Sequence, residues 1–539
     1  MGDREQESEA GHTSRIQINP GSFLRCLSVV AWKEVRQLFL LAGPLILSQV
    51  MIYSLNFISS AFSGHLGKYE LGAVSLATSV ISVTGVAVGT GLSMACDTLI
   101  SQTYGSKKLR QIGVILQRGI LILIIFCCPC WALFINTEKI LLATKQHPEV
   151  ARLCGLYVKI FIPALPGITM PQVFTGLVAN VLSALVNYIF LIVLKLGVAG
   201  SAWANVISQY SQNIILFTYI HCRKLHLPTW GGWTMDCLQE WGPFLRLAIP
   251  SMFMFCIELW AYEMGSFLAG LISQVELGAQ SIIFQVLTVL YMTHVGIGMA
   301  AGVHVGMALG GGDPQQAKIS AMTAIICAGC VALFLMTLLL GLKDLVAKIF
   351  TSDRQIVDLV SRTIPIVAPV HLSDAIGSGV ASGIVRGAGK QKIGAVANLV
   401  VFYIVGIPVG ISLMFTAKLG ILGLWTGLAL GTFLLSSLLL TLLFRMNWAT
   451  AAQEAQERTG LRKGTGPSRI ASGFDLVEDG ASTLSQGQEE PYQLEHTVLI
   501  ASNPAVGILS PVQLLIRRGL AVVAGLVVLA VGITFHFTV

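Results

Sequence analysis

Two glutamates, Glu258 and Glu263, lie in the stretch FCIELWAYEMGSF (255–267), and no other charged residue falls between Arg246 and Glu276. A carboxylate at the centre of a membrane span costs about 3 kcal/mol on an insertion scale, so such acids are rare and mark ion or proton paths. The alternative is a pair of acids neutralised by buried hydrogen bonds. Five residues apart, the two point roughly 140° away from each other around a helix. One is expected to line a cavity and the other to face a neighbouring helix. Trp260 and Tyr262 lie between them; aromatic faces attract organic cations, although packing alone accounts for many membrane aromatics. A second constellation is HLSDAIGSG (371–379), which carries His371 and Asp374 three residues apart on one helix face. An imidazole beside a carboxylate can relay protons, and a histidine bonded to a helix carbonyl is the competing reading. Gln285, His294 and His304 share another apolar run that has no carboxylate deep within it, and a lone histidine there reads as structural.

Elements able to hold such groups follow from composition. The 539-residue chain is 54% hydrophobic and 11% charged, and its mean hydropathy is +0.75, which excludes an ordinary soluble domain. Twenty-residue windows predict spans near 37–62, 70–103, 109–135, 149–166, 170–194, 199–221, 245–269, 276–309, 315–342, 356–386, 391–416, 420–445 and 515–537. The net charge of +7 comes from short basic clusters between apolar runs, which form no continuous nucleic-acid face. Lys107, Lys108 and Arg110, Arg223 and Lys224, Arg386, Lys390 and Lys392, and Arg517 and Arg518 all follow even-numbered spans. The positive-inside rule then puts them and the N-terminus in the cytosol, and the C-terminus outside. The start, MGDREQESEAG, lacks the basic region and apolar core of a cleavable signal, so the first span is expected to act as an anchor.

An internal repeat organises these spans. ELGAVS begins at Glu70 and ELGAQS at Glu276, 206 residues on; Pro44 and Pro250 are separated by the same interval. GLVAN (176–180) answers GAVAN (394–398), and KLGVAG (195–200) answers KLGILG (418–423). The expected fold class is therefore an all-α polytopic membrane protein, with two pseudo-symmetric six-helix bundles plus a C-terminal thirteenth helix. Six is an even number, so the repeats are parallel and enclose a cavity whose access can alternate. The expected boundaries are a cytosolic segment 1–36, an N-lobe 37–222, a loop 223–244, a C-lobe 245–445, a cytosolic linker 446–512 and a final span 513–539. One asymmetry stands out: the interval from Pro163 to Gly176 is less than half that from Pro365 to the matching Gly394. The first half lacks about four helical turns that would complete its fourth helix. Glycines at 298, 302, 306 and 310, and again at 423, 427 and 431, draw flat strips for close helix approach.

Other function classes find little support. RGAGKQK (386–392) lacks the first glycine and the Ser/Thr of a phosphate loop. HExxH and GxSxG are absent, so no enzyme is expected. The eleven cysteines sit mostly in apolar runs without ligand partners, and neither metal nor cofactor is expected. Span count argues against a seven-helix receptor. The chain has no filter loop of the kind channels use, and a flippase for lipid-linked sugars would favour basic cavity residues.

Taken together, FSGHLGKYELGAVSLA (62–77), ACDTLISQTYGS (95–106), GVILQRG (113–119), IELWAYEMGSFLAG (257–270), VELGAQSI (275–282), VRGAGKQK (385–392) and LLIRRG (514–519) resemble the multidrug and toxin extrusion family. The likeness is to its vertebrate organic cation/proton exchangers and covers nearly the whole chain apart from both polar ends. The resemblance implies a monomeric plasma-membrane antiporter that exports small organic cations against protons, with no nucleic-acid partner. It implies proton or cation binding at Glu258, Glu263 and Asp374, a substrate pathway at Gln49, Trp260, Tyr262, Gln285 and His371, and thiol sensitivity at Cys130. The chain departs from the family at Gln285, where relatives carry a glutamate, at HVGM (304–307) in place of RVGN, at His294 for a proline, at Ser82 for an asparagine, and at the shortened fourth helix. A transport-impaired isoform, or a non-transporting membrane interaction protein of the same fold, is the alternative these departures raise.

Overall fold

Long apolar runs with few helix breakers have one way to satisfy their backbone in lipid, which is to bond within the run. In the computed structural model, which describes residues 20–63, 68–144, 146–167, 175–351, 353–460 and 510–538, every regular element is helical. The first half comprises α1 (Pro20–Ser63), α2 (68–105), α3 (Leu109–Ile135), α4 (Pro148–Phe161), α5 (175–193) and α6 (Gly197–Cys222). The second comprises α7 (Trp241–Ile272), α8 (Gln274–Gly310), α9 (Pro314–Gly341), α10 (Arg354–Gly387), α11 (Gln391–Thr416) and α12 (Ile421–Arg445), and α13 is Pro511–Thr538. Ten of these are long and apolar enough to cross a membrane; α4, α5 and α6 fall outside that set. In α6 the reason is polarity turned inward: Ser201, Asn205, Ser208 and Gln212 are buried, and Asn205 bonds the Tyr157 hydroxyl of α4.

Helix ends follow local signals. Ser273 caps α8, Asp313 followed by Pro314 caps α9, and Asp353 caps α10. The ELGAQS motif does a longer-range version of this. Glu276 Oε2 accepts from the backbone N–H of Ile421 (2.8 Å), closing the start of α12, where Gly420 adopts φ +59°. A Cβ at Gly420 would lie 2.3 Å from Glu276 Oε1, so only glycine fits. The repeated asparagines also act alike: Asn180 of α5 donates to the Met51 carbonyl of α1 (2.9 Å), and Asn398 of α11 donates to the Met254 carbonyl of α7 (2.7 Å).

The glycine strips make backbone contacts. A Cβ at Gly298 would stand 2.1 Å from the Gly379 carbonyl oxygen, and one at Gly383 would stand 2.2 Å from that of Gly298, so α8 and α10 cross with nothing between them. Further along, Gly306 of α8 meets the Ser101 hydroxyl of α2 and Gly310 the Gln102 carbonyl. The two halves thus touch directly through α2 and α8, and again through α1 and α8 and α2 and α7. Among the described residues, four helices contain π turns: α2 (Ser82–Val86), α5 (Tyr188–Val193), α10 (Ala375–Ala381) and α11 (Leu399–Gly406 and Ser412–Thr416). Such turns recur at functional sites, and the one in α10 begins directly after Asp374.

Two expectations change in detail. The fourth helix, expected over 149–166, is α-helical only to Phe161, about 21 Å at helical rise, and continues as a 3-10 turn, Ile162–Gly167; residues 168–174, where the shortening falls, lie outside the described residues. The stretch 446–512 is not a plain linker at its start. Trp448–Arg458 forms a helix capped by Asn447, with Trp448, Ala451, Ala452 and Ala455 buried against α8, α9 and α2. Residues 461–509 lie outside the described residues. Finally, α13 lies along α3, fixed by Asn136 to the Gly532 carbonyl (2.8 Å) and by Arg518 stacked over Trp241 at 4.4 Å.

Candidate functional site

The two glutamates of α7 diverge, as their offset around the helix requires. Glu258 is half-buried and turns into the second half, where its Oε1 accepts from the Tyr291 hydroxyl of α8 (3.0 Å). Glu263 turns the other way, toward Ser79 of α2. Asp374 of α10 is buried at 8% exposure and near enough to Glu258 for their charges to interact; the Tyr262 hydroxyl lies beside it. Ser378, one turn beyond Asp374, is next to both carboxyls yet makes no hydrogen bond of ordinary geometry, and Asp374 Oδ1 has no partner either. Buried polar atoms without partners are uncommon and call for a water, an ion or a proton. Two like charges so placed repel strongly in a low-dielectric interior unless a cation or a proton accompanies them. The arrangement can therefore hold a positive charge of either kind.

The remaining expected residues are spread more widely. Trp260 donates its indole N–H to the Val83 carbonyl (3.1 Å), in the π turn of α2, so it ties the halves together. Tyr262 packs in an aromatic group with Phe284, Phe402 and Trp425, each ring centroid 6.2 Å away. Gln49 of α1 donates to the Met299 sulfur of α8 (3.3 Å), and Gln285 of α8 faces Tyr53 of α1. Both lie on the contact between the halves. His371 is 2% exposed and sets its ring edge-to-face against His294 of α8 at 5.0 Å. The structure thus pairs His371 with a second histidine instead of with Asp374. The Nε2 atoms of both rings lack partners. Cys130 lies elsewhere, in the first half. Its thiol donates to the Thr84 carbonyl (3.2 Å), and it lines a small apolar hollow with Gly85, Val88, Leu92, Phe126 and Leu165.

Sequence reasoning missed four groups at this site: Tyr291, Ser378, Asp97 and Arg386. Asp97 is a lone acid inside an apolar run, the same signal that singled out Glu258. Arg386, taken from the sequence as a cytosolic marker, is half-buried; it donates to Ser382 (2.9 Å) and stands within electrostatic range of Asp97, Glu258 and Tyr291. Among the described residues, no three of His, Cys, Asp and Glu gather as metal ligands.

Comparison with known proteins gives consistent matches. The MatE family model matches residues 44–203 and 250–411, one segment in each half. Multidrug and toxin extrusion protein 1 of Danio rerio is 48% identical over 549 residues, covering 95% of this chain and 92% of the relative. Protein 2 of Mus musculus is 48% identical over 528 residues (93% and 91%), and protein 1 of Homo sapiens 46% over 545 (96% and 95%). The crystal structure of the eukaryotic MATE transporter AtDTX14 superposes with a TM-score of 0.76 at 29% identity, covering 80% of this chain and 99% of that one.

Proposed function

The chain belongs to the MatE family of membrane transporters, and we propose that it is a proton-coupled antiporter exporting small organic cations across the plasma membrane. The two halves act as lobes that rock about the central contact, with the basic ends and the N-terminus in the cytosol. The observation that carries this reading is the pairing of Glu258 and Asp374, with Tyr291 on one carboxyl and an unpartnered oxygen on the other. Deprotonated, the pair attracts a cation in a site where charge is poorly screened. A proton arriving from outside neutralises one acid, the attraction falls, and the cation leaves. Competition for the same oxygens couples the two fluxes, and Tyr262 with its aromatic neighbours offers the cation a face. The substrate class is set by this chemistry: a positively charged group bearing apolar substituents.

The test is exchange in proteoliposomes driven by a pH gradient, with tetraethylammonium as the probe. Glu258→Gln is expected to abolish it while the protein still reconstitutes; undiminished exchange in that variant would reject the scheme. A second reading, a transport-impaired member of the family, is favoured by one observation. The α-helical part of α4 is 14 residues, about 21 Å, short of the roughly 30 Å hydrocarbon core. Inserting about four helical turns after Gly167 separates the two readings, since flux found only in the lengthened chain supports the second.

A further inference from the structure

Asp97 and Arg386 belong to different halves and have no part in the scheme above. Asp97 is on α2, one residue before Thr98, whose hydroxyl donates to the Arg386 carbonyl of α10 (3.0 Å). Gln391 at the start of α11 donates to that same Thr98 hydroxyl (3.0 Å), and Gln102, one turn on, donates to the Gly387 carbonyl (2.9 Å). The backbones carrying the two charges are therefore stitched together at the end where α2 crosses α8. Along α10 the polar groups Asp374, Ser378, Ser382 and Arg386 recur every fourth residue, and the guanidinium is braced by Ser382. Arg386 lies within electrostatic range of Asp97 on one side and of Glu258 on the other, while Asp97 itself remains exposed. Around Glu258, the charged or titratable groups on neighbouring helices are Tyr291 on α8 and Asp374 and Arg386 on α10, while Asp97 on α2 stands near Arg386; α11 brings Tyr403 to Cys256 instead.

We infer that Asp97 and Arg386 are an inter-lobe charge switch that decides, from the position of the lobes, when Glu258 keeps its proton. With α2 joined to α10 at this end, as here, Arg386 is shared with Asp97, which draws the guanidinium away from Glu258, and Glu258 accepts a proton from outside. When that end opens, Asp97 leaves with α2, and Arg386, which stays in the same lobe as Glu258, acts on it alone. The proton is then expelled to the cytosol and the carboxylate is free for a cation. No bond other than the O–H of Glu258 is made or broken. Both groups are positioning residues, since they act through Glu258, and their role rests on the antiport reading.

The experiment is tetraethylammonium exchange in proteoliposomes, with the pH on each face varied separately. In Asp97→Asn, Arg386 bears on Glu258 in both conformations, so the external pH giving half-maximal exchange should fall by about half a unit or more, a threefold change in proton affinity. In Arg386→Gln, the proton is retained at the inner face, so the internal pH giving half-maximal exchange should rise by at least about as much. Arg386→Lys and Asp97→Glu should restore the native profiles. Adding Asp97→Asn to Arg386→Gln should move nothing further, because the aspartate works through the arginine. Equal loss of turnover in both single variants, with neither midpoint moved, overturns the switch while leaving the antiport reading standing. Absence of pH-driven exchange in the unaltered protein overturns both.

Discussion

The two halves are built on one plan and carry different chemistry. Asn180 and Asn398 each donate to a backbone carbonyl of the first helix of their own half, and Pro44 answers Pro250. Yet at the repeat interval, Glu258 corresponds to Ile52 and Glu263 to Phe57. The first half packs Phe134, Tyr157, Cys154 and Val158 into an apolar core, with a small apolar hollow beside Cys130. In the second half, carboxyls, phenols and two imidazoles lie around α10, a 34-residue span that is widened by a π turn and crossed by glycines. Matched residues such as Glu276 and Asn398 hold the bundle, whereas Glu258 and Glu263 have no acid opposite them in the first half. The repeat supplies a shared scaffold, and Glu258, Glu263 and Asp374 all lie in one half of it.

That contrast can be broken at several points. The largest effect is expected from packing. Gly383→Leu drives a side chain into the Gly298 carbonyl and should leave little monodisperse protein on size-exclusion chromatography. Gly43→Leu in α1, where a Cβ meets nothing within 4 Å, should leave the yield unchanged. Asp374→Asn comes next, with exchange expected to fall at least about tenfold, because one of the two interacting carboxyls is lost. Placing an acid at the equivalent site of the other half, Ile52→Glu in a Glu258→Gln background, should not rescue flux; rescue would show that position in the repeat matters more than Tyr291, Ser378 and Asp374. Tyr291→Phe removes one hydrogen bond to a carboxyl, worth about 1.5 kcal/mol, and should weaken apparent cation affinity roughly tenfold with turnover preserved. The smallest effects test the symmetry itself: Asn180→Ala and Asn398→Ala should each lower the melting temperature by a few degrees, for about 1 kcal/mol apiece. Unequal losses would mean that the repeated asparagines no longer do equal work.

Much of this was legible in the chain. Apolar runs gave the helices, since lipid allows a backbone few alternatives, and the recurring interval between matched motifs exposed the duplication. Glu258 and Asp374 announced themselves as charges in apolar surroundings. Other features resisted. Arg386 sits beside Lys390 and Lys392, and residue order cannot tell a side chain that turns inward from one that meets water. Nothing in the spacing of His294 and His371, which lie on different spans far apart in the chain, says that their rings meet.

What the sequence determined by itself, then, was which segments become helices, that they come in two related sets, and which of them carry unaffordable charge, because each of these depends on a residue and its near neighbours. Only the tertiary structure decided that Glu258 turns to Tyr291 while Glu263 turns to α2, that Trp260 ties the halves together, and that Arg386 faces acids from both. Those outcomes depend on how closely glycine-lined helices approach and on how a π turn rotates α10. Close approach is a property of two surfaces at once, and no single stretch of chain contains it.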